Sequence, residues 1–280
     1  MKIKEIQKFV SEELNDIEDS FLKSRILLMN VLDVPKEYLL IHDNDEFPEE
    51  KLEELKNKIT RLKNNEPIQY IINKQEFFGC DFYVDENVLI PQPDTEILVE
   101  EAINISTKMK EMCKTNIKIL DLCTGSGAIA VSLAKNIENA DVVASDISQK
   151  ALEIANKNSI LNNVEINFIH SDLYENIKEK FNMIVSNPPY IRTGVIKELS
   201  KEVQKEPHIA LDGGEDGLKF YKNIIEESKQ LLENNGYLLL EIGFDQRKDV
   251  IELLEKNNYK NIYFKKDLGS NDRIVVAQIN

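Results

Sequence analysis

The chain of 280 residues has few of the side chains that build disulfide frameworks or metal sites. Its three cysteines are far apart and form no CxxC pair: Cys80, Cys113 and Cys123. Its three histidines are equally scattered. Such spacing predicts neither a disulfide framework nor a zinc site, and reduced thiols fit a cytosolic protein best. We therefore expect no bound metal.

Long apolar runs and an excess of basic residues are also missing. No apolar stretch reaches the length of a membrane span, and the first residues lack the long apolar core of a signal peptide. The formal net charge is -15. Because nucleic-acid backbones are bound by clustered Lys and Arg, this charge disfavours direct nucleic-acid binding without excluding a local basic patch. We expect a cytoplasmic protein that does not contact a membrane.

Glycine is absent from the first 78 residues, and apolar residues recur there at helical spacing. One such stripe comprises Leu52, Leu55, Ile59 and Leu62. Residues 1–75 are therefore predicted to form a small helical domain that presents or recognises a partner. Residues 76–92 are rich in aromatic, β-branched and turn-forming residues, which predicts a β-hairpin linking two domains.

From residue 93 to residue 280, strands and helices alternate. The predicted strands are "IKILDL", "DVVAS", "VEINFI", "FNMIVS", "GYLLLEIG" and two more near residues 260–265 and 273–279. Alternation with apolar strands predicts a parallel sheet covered on both faces. The short turn between the last two strands predicts an antiparallel C-terminal hairpin. The expected fold class is α/β, with a Rossmann-like, seven-stranded, mostly parallel sheet.

A long loop is predicted at about residues 191–215, and it contains "EPHIALDGG". Long loops in compact domains are often functional lids. Its glycines, Gly213 and Gly214, together with Gly217 just after it, either provide hinges or simply end and begin elements. We interpret His208 as a loop residue rather than a catalytic base.

A glycine-rich turn, "DLCTGSG", joins the first predicted strand of the sheet to its helix. Gly125 and Gly127 allow a tight turn and a close approach to a ligand. Asp146 ends the next strand and Asp172 follows the third, so both belong to the same carboxyl edge of the sheet. Asp146 can accept hydrogen bonds from a ribose or cap the following helix, and Asp172 can be a turn residue. Together these features predict a nucleoside cofactor, and NAD fits them equally well.

The fourth predicted strand ends in "SNPPYI". The amide oxygen of Asn187 is an acceptor, and Pro188 and Pro189 fix the backbone and remove two donors. With the Pro188 carbonyl and an aromatic wall from Tyr190, the turn suits gripping both hydrogens of a planar NH2 group. Such a nitrogen is a poor nucleophile because its lone pair is delocalised, and positioning it electrostatically lets it attack a sulfonium methyl in line. The alternative is that "NPP" is only a turn.

In these motifs the chain resembles class I S-adenosylmethionine-dependent methyltransferases, and "NPPY" is similar to the motif of enzymes that methylate amino groups of adenine, cytosine and glutamine. With "PIQYI", "FFGCDFYVDENVLIPQPDTE", "EPHIALDGGEDGLKFY" and "DRIVVA", the chain from about residue 66 onward resembles the HemK/PrmC family. The resemblance implies methyl transfer from S-adenosyl-L-methionine to the N5 nitrogen of the glutamine in the Gly-Gly-Gln motif of class I peptide chain release factors.

The resemblance also implies roles for particular residues. The cofactor-binding residues would be Cys123, Thr124, Gly125, Ser126, Gly127, Asp146, Asp172, Leu173 and Asn187. The substrate glutamine would be held by Asn187, Pro188, Pro189 and Tyr190, of which Asn187, Pro188 and Tyr190 are the expected catalytic residues. The family usually has Gly in place of Cys123 and Arg in place of Gln92, which puts any contact made by that Arg in doubt. "PQPDTE" can also be a simple helix start capped by Asp94 or Thr95.

Two other interpretations remain open at this point. A DNA adenine methyltransferase would share "NPPY", but the acidic balance and the lack of a basic, aromatic-rich recognition segment count against it. A non-catalytic protein-binding module would have no need to bind S-adenosyl-L-methionine, and the intact "NPPY" and glycine turn count against that interpretation.

Overall fold

The computed structural model describes residues 1–113 and 116–279. The chain divides into two compact units. The first comprises residues 1–73 and 200–205, and the second comprises residues 74–199 and 206–280. Within the part of the chain that is described, no helix has both the length and the apolar character to cross a membrane.

The first unit is helical, as predicted. Its helices are α1 (Ile3–Glu13), α2 (Ser20–Leu32), α3 (Lys36–Ile41), α4 (Leu52–Lys63) and α5 (Ile68–Ile72). The apolar stripe of α4 faces a core, since Leu55, Ile59 and Leu62 are buried while Leu52 packs against their cluster half-buried. The helices therefore form because each one buries a single apolar face against the others.

The second unit begins with a short antiparallel hairpin, β1 (Gln75–Phe77) and β2 (Cys80–Phe82). A large sheet follows, with strands β3 (Lys118–Leu122), β4 (Asp141–Asp146), β5 (Asn167–His170), β6 (Phe181–Ser186), β7 (Leu232–Glu241), β8 (Lys260–Lys266) and β9 (Asp272–Gln278). The helices of this unit are α6 (Glu96–Cys113), α7 (Ala128–Asn136), α8 (Gln149–Leu161), α9 (His208–Leu211), α10 (Lys219–Leu231) and α11 (Arg247–Lys256).

The seven-stranded sheet has the order β5-β4-β3-β6-β7-β9-β8. Its first five strands are parallel, and β9 runs antiparallel to both β7 and β8. The predicted fold class, including the antiparallel C-terminal hairpin, is confirmed. The strand order reverses between β3 and β6, and in open sheets of this kind ligands bind outside the carboxyl ends of the strands at such a reversal.

Some predicted elements differ from the structure, and β7 starts at Leu232 rather than at Gly236. The strand predicted from Val164 starts only at Asn167, because the amide of Val164 donates to the carbonyl of Ser159 and thereby closes the end of α8. The predicted long loop contains short helical turns, among them Thr193–Glu198 and α9. It folds back on the turn after β6, since the Ile191 amide donates to the Leu211 carbonyl.

Candidate active site

A cavity opens at the carboxyl ends of β3, β4 and β6, where the strand order reverses. Its walls come from the segment before α6, from the turns after these strands and β5, and from the region of α9 and the start of α10. The predicted residues that line it are Cys123, Thr124, Gly125, Ser126, Asp146, Asp172, Leu173, Asn187 and Pro189. The predicted residues Gly127, Pro188 and Tyr190 are not among its lining residues.

The glycine-rich turn after β3 is anchored by Asp121, a residue that the sequence analysis did not single out. Asp121 Oδ2 accepts hydrogen bonds from the Thr124 hydroxyl at 2.6 Å and from the Ala130 amide at 3.1 Å. The side chain is buried, and burial raises its pKa to about 7. An acidic residue inside an otherwise apolar strand is the sequence signal that could have revealed it, because a buried carboxyl requires partners.

Three residues of this turn have left-handed backbone conformations: Cys123 (φ 62°), Gly125 (φ 54°) and Gly127 (φ 80°). The left-handed region costs a non-glycine residue about 1–2 kcal/mol, and Cys123 is the non-glycine residue of the three. The Cys123 side chain packs against the core of the sheet. Burial and the negative charge of Asp146 raise its pKa, so the thiol stays protonated.

Gly127 has a packing role. A Cβ atom at this position would lie 3.0 Å from the Cβ of Ala155 in α8. Its amide also closes the turn by donating to the Thr124 carbonyl. The absence of a side chain at Gly127 therefore lets α7 begin close to α8, and Gly125 is the glycine of the pair that faces the cavity.

The carboxylate of Asp146 connects the start of α8 with the glycine-rich turn. Its Oδ1 accepts from the Ser148 amide at 2.8 Å at the start of α8, and its Oδ2 accepts from the Gly125 amide at 2.9 Å. Burial raises the pKa of Asp146, and these amides act in the opposite direction. Each carboxylate oxygen can accept a further hydrogen bond, so Asp146 can hold the turn and still accept from a ligand.

The neighbouring hydroxyl of Ser145 gives an independent indication of a polar ligand. Ser145 lines the cavity and is buried, and its Oγ has no hydrogen-bond partner among the described residues. Buried polar atoms are normally paired. A ligand with polar groups, such as a nucleoside, fits this wall.

Asp172 and Leu173 lie in the turn after β5 and line the cavity. Asp172 is exposed, and its backbone carbonyl accepts from the Glu175 amide. Leu173 has a φ of 43° and is half-buried against the core of the sheet. The pair thus offers a solvated carboxylate and an apolar surface side by side.

Asn187 follows β6 directly and lines the cavity. Its Nδ2 donates to the Thr95 hydroxyl at 3.2 Å. Thr95 also lines the cavity, although the sequence suggested at most a helix cap for it. Because the NH2 end of the amide is directed at Thr95, the carbonyl end of Asn187 remains as an acceptor.

The hydroxyl of Tyr190 is directed at a buried carboxyl group. It donates to Glu241 Oε1 at 3.2 Å. Burial raises the pKa of Glu241 to about 7, while Thr95, Arg273 and Tyr190 favour its charged form. Burial and the charge of Glu241 raise the pKa of Tyr190. Glu241 was not predicted, although it is an acidic residue within the predicted apolar strand "GYLLLEIG" and so carries the same sequence signal as Asp121.

The backbone of Tyr190 is held by Gln246, which precedes α11, and by the segment around Gly213 and Gly217. Its carbonyl accepts from Gln246 Nε2 at 2.9 Å. A Cβ atom on Gly213 would lie 2.7 Å from the Cα of Tyr190, and one on Gly217 would lie 2.6 Å from its carbonyl oxygen. These two glycines are required for close approach to the NPPY turn.

We expect Gly213→Ala to destabilise the protein by about 1–2 kcal/mol, because the added methyl group meets backbone atoms that cannot rotate away. Gly194→Ala is the matched control, since nothing lies within 4 Å of its added Cβ. Urea unfolding of the two variants measures the difference. Equal stabilities would contradict this role for Gly213.

The segment predicted as a linker forms one wall of the cavity, through Phe77, Asn87 and Val88 among others. Asn158 of α8 attaches it to the glycine-rich turn. Its side chain accepts from the Tyr83 amide at 2.7 Å and donates to the carbonyls of Tyr83 and Ser126, each at 2.9 Å. One buried amide thus fixes two walls of the site.

Asn158→Ala should lower the free energy of unfolding by about 2 kcal/mol, because it leaves buried backbone groups without partners. Asn156→Ala on the exposed face of the same helix is the control and should have little effect. Denaturant titration monitored by circular dichroism measures both. A control that is as destabilised as Asn158→Ala would contradict this role for the hydrogen bonds of Asn158, because helix propensity alone favours alanine over asparagine.

Two further side chains fix the wall that precedes α6. Gln92 donates to the Ile90 carbonyl at 3.0 Å and lines the cavity. Glu206 accepts from the Ile90 amide at 2.9 Å, and burial raises its pKa to about 7. Glu206 therefore attaches the long loop to this wall.

Comparison with known proteins gives two family matches. A model described as the PrmC N-terminal domain matches residues 5–72, and one described as the Methyltransferase small domain matches residues 100–211. A methyltransferase structure from Pyrococcus furiosus superposes with a TM-score of 0.53 at 19% identity, covering 79% of this chain and 98% of that chain. That likeness concerns the fold alone.

Curated relatives extend over most of the chain. The release factor glutamine methyltransferase of Flavobacterium psychrophilum is 48% identical over 221 residues, which cover 78% of this chain and 77% of that protein. The release factor glutamine methyltransferase of Clostridium acetobutylicum is 40% identical over 287 residues, which cover 99% of this chain and 98% of that protein. With this identity over nearly its whole length, the chain belongs to the family of release factor glutamine methyltransferases.

Proposed function

We propose that this enzyme transfers a methyl group from S-adenosyl-L-methionine to the side-chain N5 nitrogen of the glutamine in the Gly-Gly-Gln motif of class I peptide chain release factors. Family membership supports the reaction and the cofactor, and the names of the relatives support the substrate class. A cytoplasmic location belongs to the same proposal. A DNA substrate and a non-catalytic role have no comparable support.

The observation that carries the proposal is the orientation of Asn187. Its NH2 end is directed at Thr95, so Oδ1 is available as an acceptor beside the cavity. A glutamine amide presents two N–H donors, and it needs acceptors rather than donors from the enzyme. Asn187 Oδ1 and the Pro188 carbonyl are the acceptors that we assign to it.

Different residues around the cavity have different proposed roles. When bound, S-adenosyl-L-methionine supplies an electrophilic methyl group. Gly125, Asp146 and the Ser145 hydroxyl are the groups that we assign to its nucleoside part, and Asp172 and Leu173 border it. Asn187 and Pro188 orient the substrate nitrogen and increase its electron density, so the enzyme acts by positioning and electrostatics.

Mass spectrometry of a release factor incubated with the enzyme and S-adenosyl-L-methionine tests the proposal. We expect one added methyl group on the glutamine of the Gly-Gly-Gln motif. A release factor in which this glutamine is replaced by glutamate should remain unmodified, because its side chain has no NH2 group. An unmodified wild-type factor, or a methyl group on another residue, would contradict the proposal.

We further propose that residues 1–75 recognise the release factor, residues 76–92 connect, and residues 93–280 perform the chemistry. The match to the PrmC N-terminal domain over residues 5–72 supports a separate first part. Its surface carries apolar side chains that a partner can cover, since Leu40 and Ile41 are 64% and 75% exposed.

Replacing Leu40 and Ile41 together by serine should weaken methylation of a whole release factor about ten-fold through KM, because apolar contact area is lost. Methylation of a short Gly-Gly-Gln peptide should not change. Ile160→Ser, at a 68% exposed position of the second unit, is the control. An equal loss on factor and peptide would argue against recognition by the first unit.

A further inference from the structure

Two buried residues next to Asn187 have no assigned contact with the cofactor or the substrate. Thr95 and Glu241 are only 4% and 2% exposed. Parallel pairing of β6 with β7 aligns Ser186 with Leu240, so Asn187 and Glu241 are the next residues on adjacent strands. Thr95, at the start of α6, hydrogen-bonds to Asn187 and interacts with the Glu241 carboxyl.

The number of hydrogens determines the direction of these interactions. A threonine hydroxyl has one hydrogen, and a carboxylate can only accept. If the single hydrogen of Thr95 is directed at Glu241, the Thr95 oxygen can only accept from Asn187. The Asn187 amide must then present its NH2 end to Thr95, in agreement with the 3.2 Å contact from Nδ2.

We propose that Glu241 and Thr95 are positioning residues that determine which end of the Asn187 amide faces the substrate. The two ends of an asparagine amide are nearly the same size, so shape alone selects weakly between them. With the NH2 end toward the cavity, Asn187 would present donors to a substrate that itself has only donors at its nitrogen. A Thr95 hydroxyl that donates to Glu241 would disfavour this orientation.

The surroundings of Glu241 are consistent with a carboxylate in this role. The Tyr190 hydroxyl donates to Oε1, and the charge of Arg273 favours the ionised form. Arg273 itself pairs with Asp94 at 3.0 Å and with Asp267 at 2.8 Å. Oε2 is buried and has no hydrogen-bond partner among the described residues, and it is the acceptor that we assign to the Thr95 hydrogen. A buried carboxyl with an incompletely paired oxygen is costly, and this cost calls for a functional explanation.

The experiment uses Thr95→Val, Thr95→Ser and Glu241→Gln in the full chain. Valine has the shape of threonine without the hydroxyl, and serine restores the hydroxyl. An amide in place of Glu241 can donate to Thr95, which frees the Thr95 hydrogen for the Asn187 carbonyl and reverses the preferred orientation. Tyr221→Phe is the control, because it removes a buried hydroxyl that donates at 2.9 Å to the backbone carbonyl of Glu241 and leaves the carboxyl intact.

We expect Thr95→Val and Glu241→Gln to lower kcat at least about ten-fold, while the affinity for S-adenosyl-L-methionine stays within about two-fold. Thr95→Ser should recover most of kcat, and Tyr221→Phe should keep the wild-type kcat. Wild-type kcat in Thr95→Val, or a loss in Thr95→Ser as large as in Thr95→Val, would overturn the proposal. If Glu241→Gln does not fold, the valine and serine pair decides alone.

The inference rests on the proposed function, and the wild-type assay separates the two. A wild-type enzyme that does not methylate the Gly-Gly-Gln glutamine contradicts the proposed function. If the wild-type enzyme does methylate it and the variants are equally active, only the positioning role of Thr95 and Glu241 is contradicted.

Discussion

Replacing Asn187 with alanine should lower kcat by about 100- to 1000-fold, because it removes a preorganised acceptor for the substrate NH2 group. The affinity for S-adenosyl-L-methionine should change little, since the glycine-rich turn and Asp146 are untouched. Single-turnover methylation of a release factor measures the first quantity, and titration calorimetry measures the second. Among the described residues, only Thr95 loses a side-chain hydrogen-bond partner, so the folded state should persist.

The aspartate variant of Asn187 is the sharper test. A carboxylate has nearly the same shape and keeps acceptor oxygens, but it has no NH2 end and adds a negative charge. Partial activity is expected if acceptance is the essential property. Asn187→Ala with normal turnover on the release-factor glutamine would show instead that "NPPY" is only a turn.

Much of the second unit could be predicted because its strands and helices have different apolar periods. The central strands β3 and β6 are almost continuously buried, and their sequences are mostly apolar. The intervening helices have helical spacing, so alternation indicated a parallel sheet. The start of β5 could not be predicted, because closing α8 at Val164 depends on a backbone hydrogen bond that has no sequence signal.

The candidate site was predictable where a residue directly follows a strand. Asp146 and Asn187 lie at strand ends of the same sheet edge, and both line the cavity. Thr95 and Glu241 were not found, because their proximity depends on β6 pairing with β7 and on where α6 begins. The order of strands in the sheet is a long-range property, and the local apolar periodicity of the sequence does not indicate it.

The glycines of the long loop show the same difference between local and long-range information. Their sequence suggested hinges or element ends, since glycine permits both. In the structure, Gly213 and Gly217 lie against the backbone of Tyr190, where a Cβ atom would collide. A requirement for close approach between segments that are distant along the chain cannot be recognised from either segment alone.

Replacing Asp146 with alanine should weaken S-adenosyl-L-methionine binding by about 100-fold, which corresponds to about 3 kcal/mol. One part of this loss is direct, because the carboxylate that we assign to the ribose hydroxyls is removed. The other part is indirect, because the Gly125 amide loses its acceptor and the glycine-rich turn is released. Calorimetry with S-adenosyl-L-methionine measures the sum of the two.

Two further variants separate these parts. Asp141→Ala removes an exposed aspartate from the other end of β4 and should leave the affinity unchanged. Asp146→Asn keeps one acceptor oxygen, which can serve either the Ser148 amide or the Gly125 amide but not both from their present sides. Asp146→Asn should therefore bind more tightly than Asp146→Ala and more weakly than the wild type. Unchanged affinity in Asp146→Ala would mean that Asp146 only supports the turn and α8. The ribose hydroxyls would then require another partner, and the unpaired Ser145 hydroxyl is the nearest candidate in sequence.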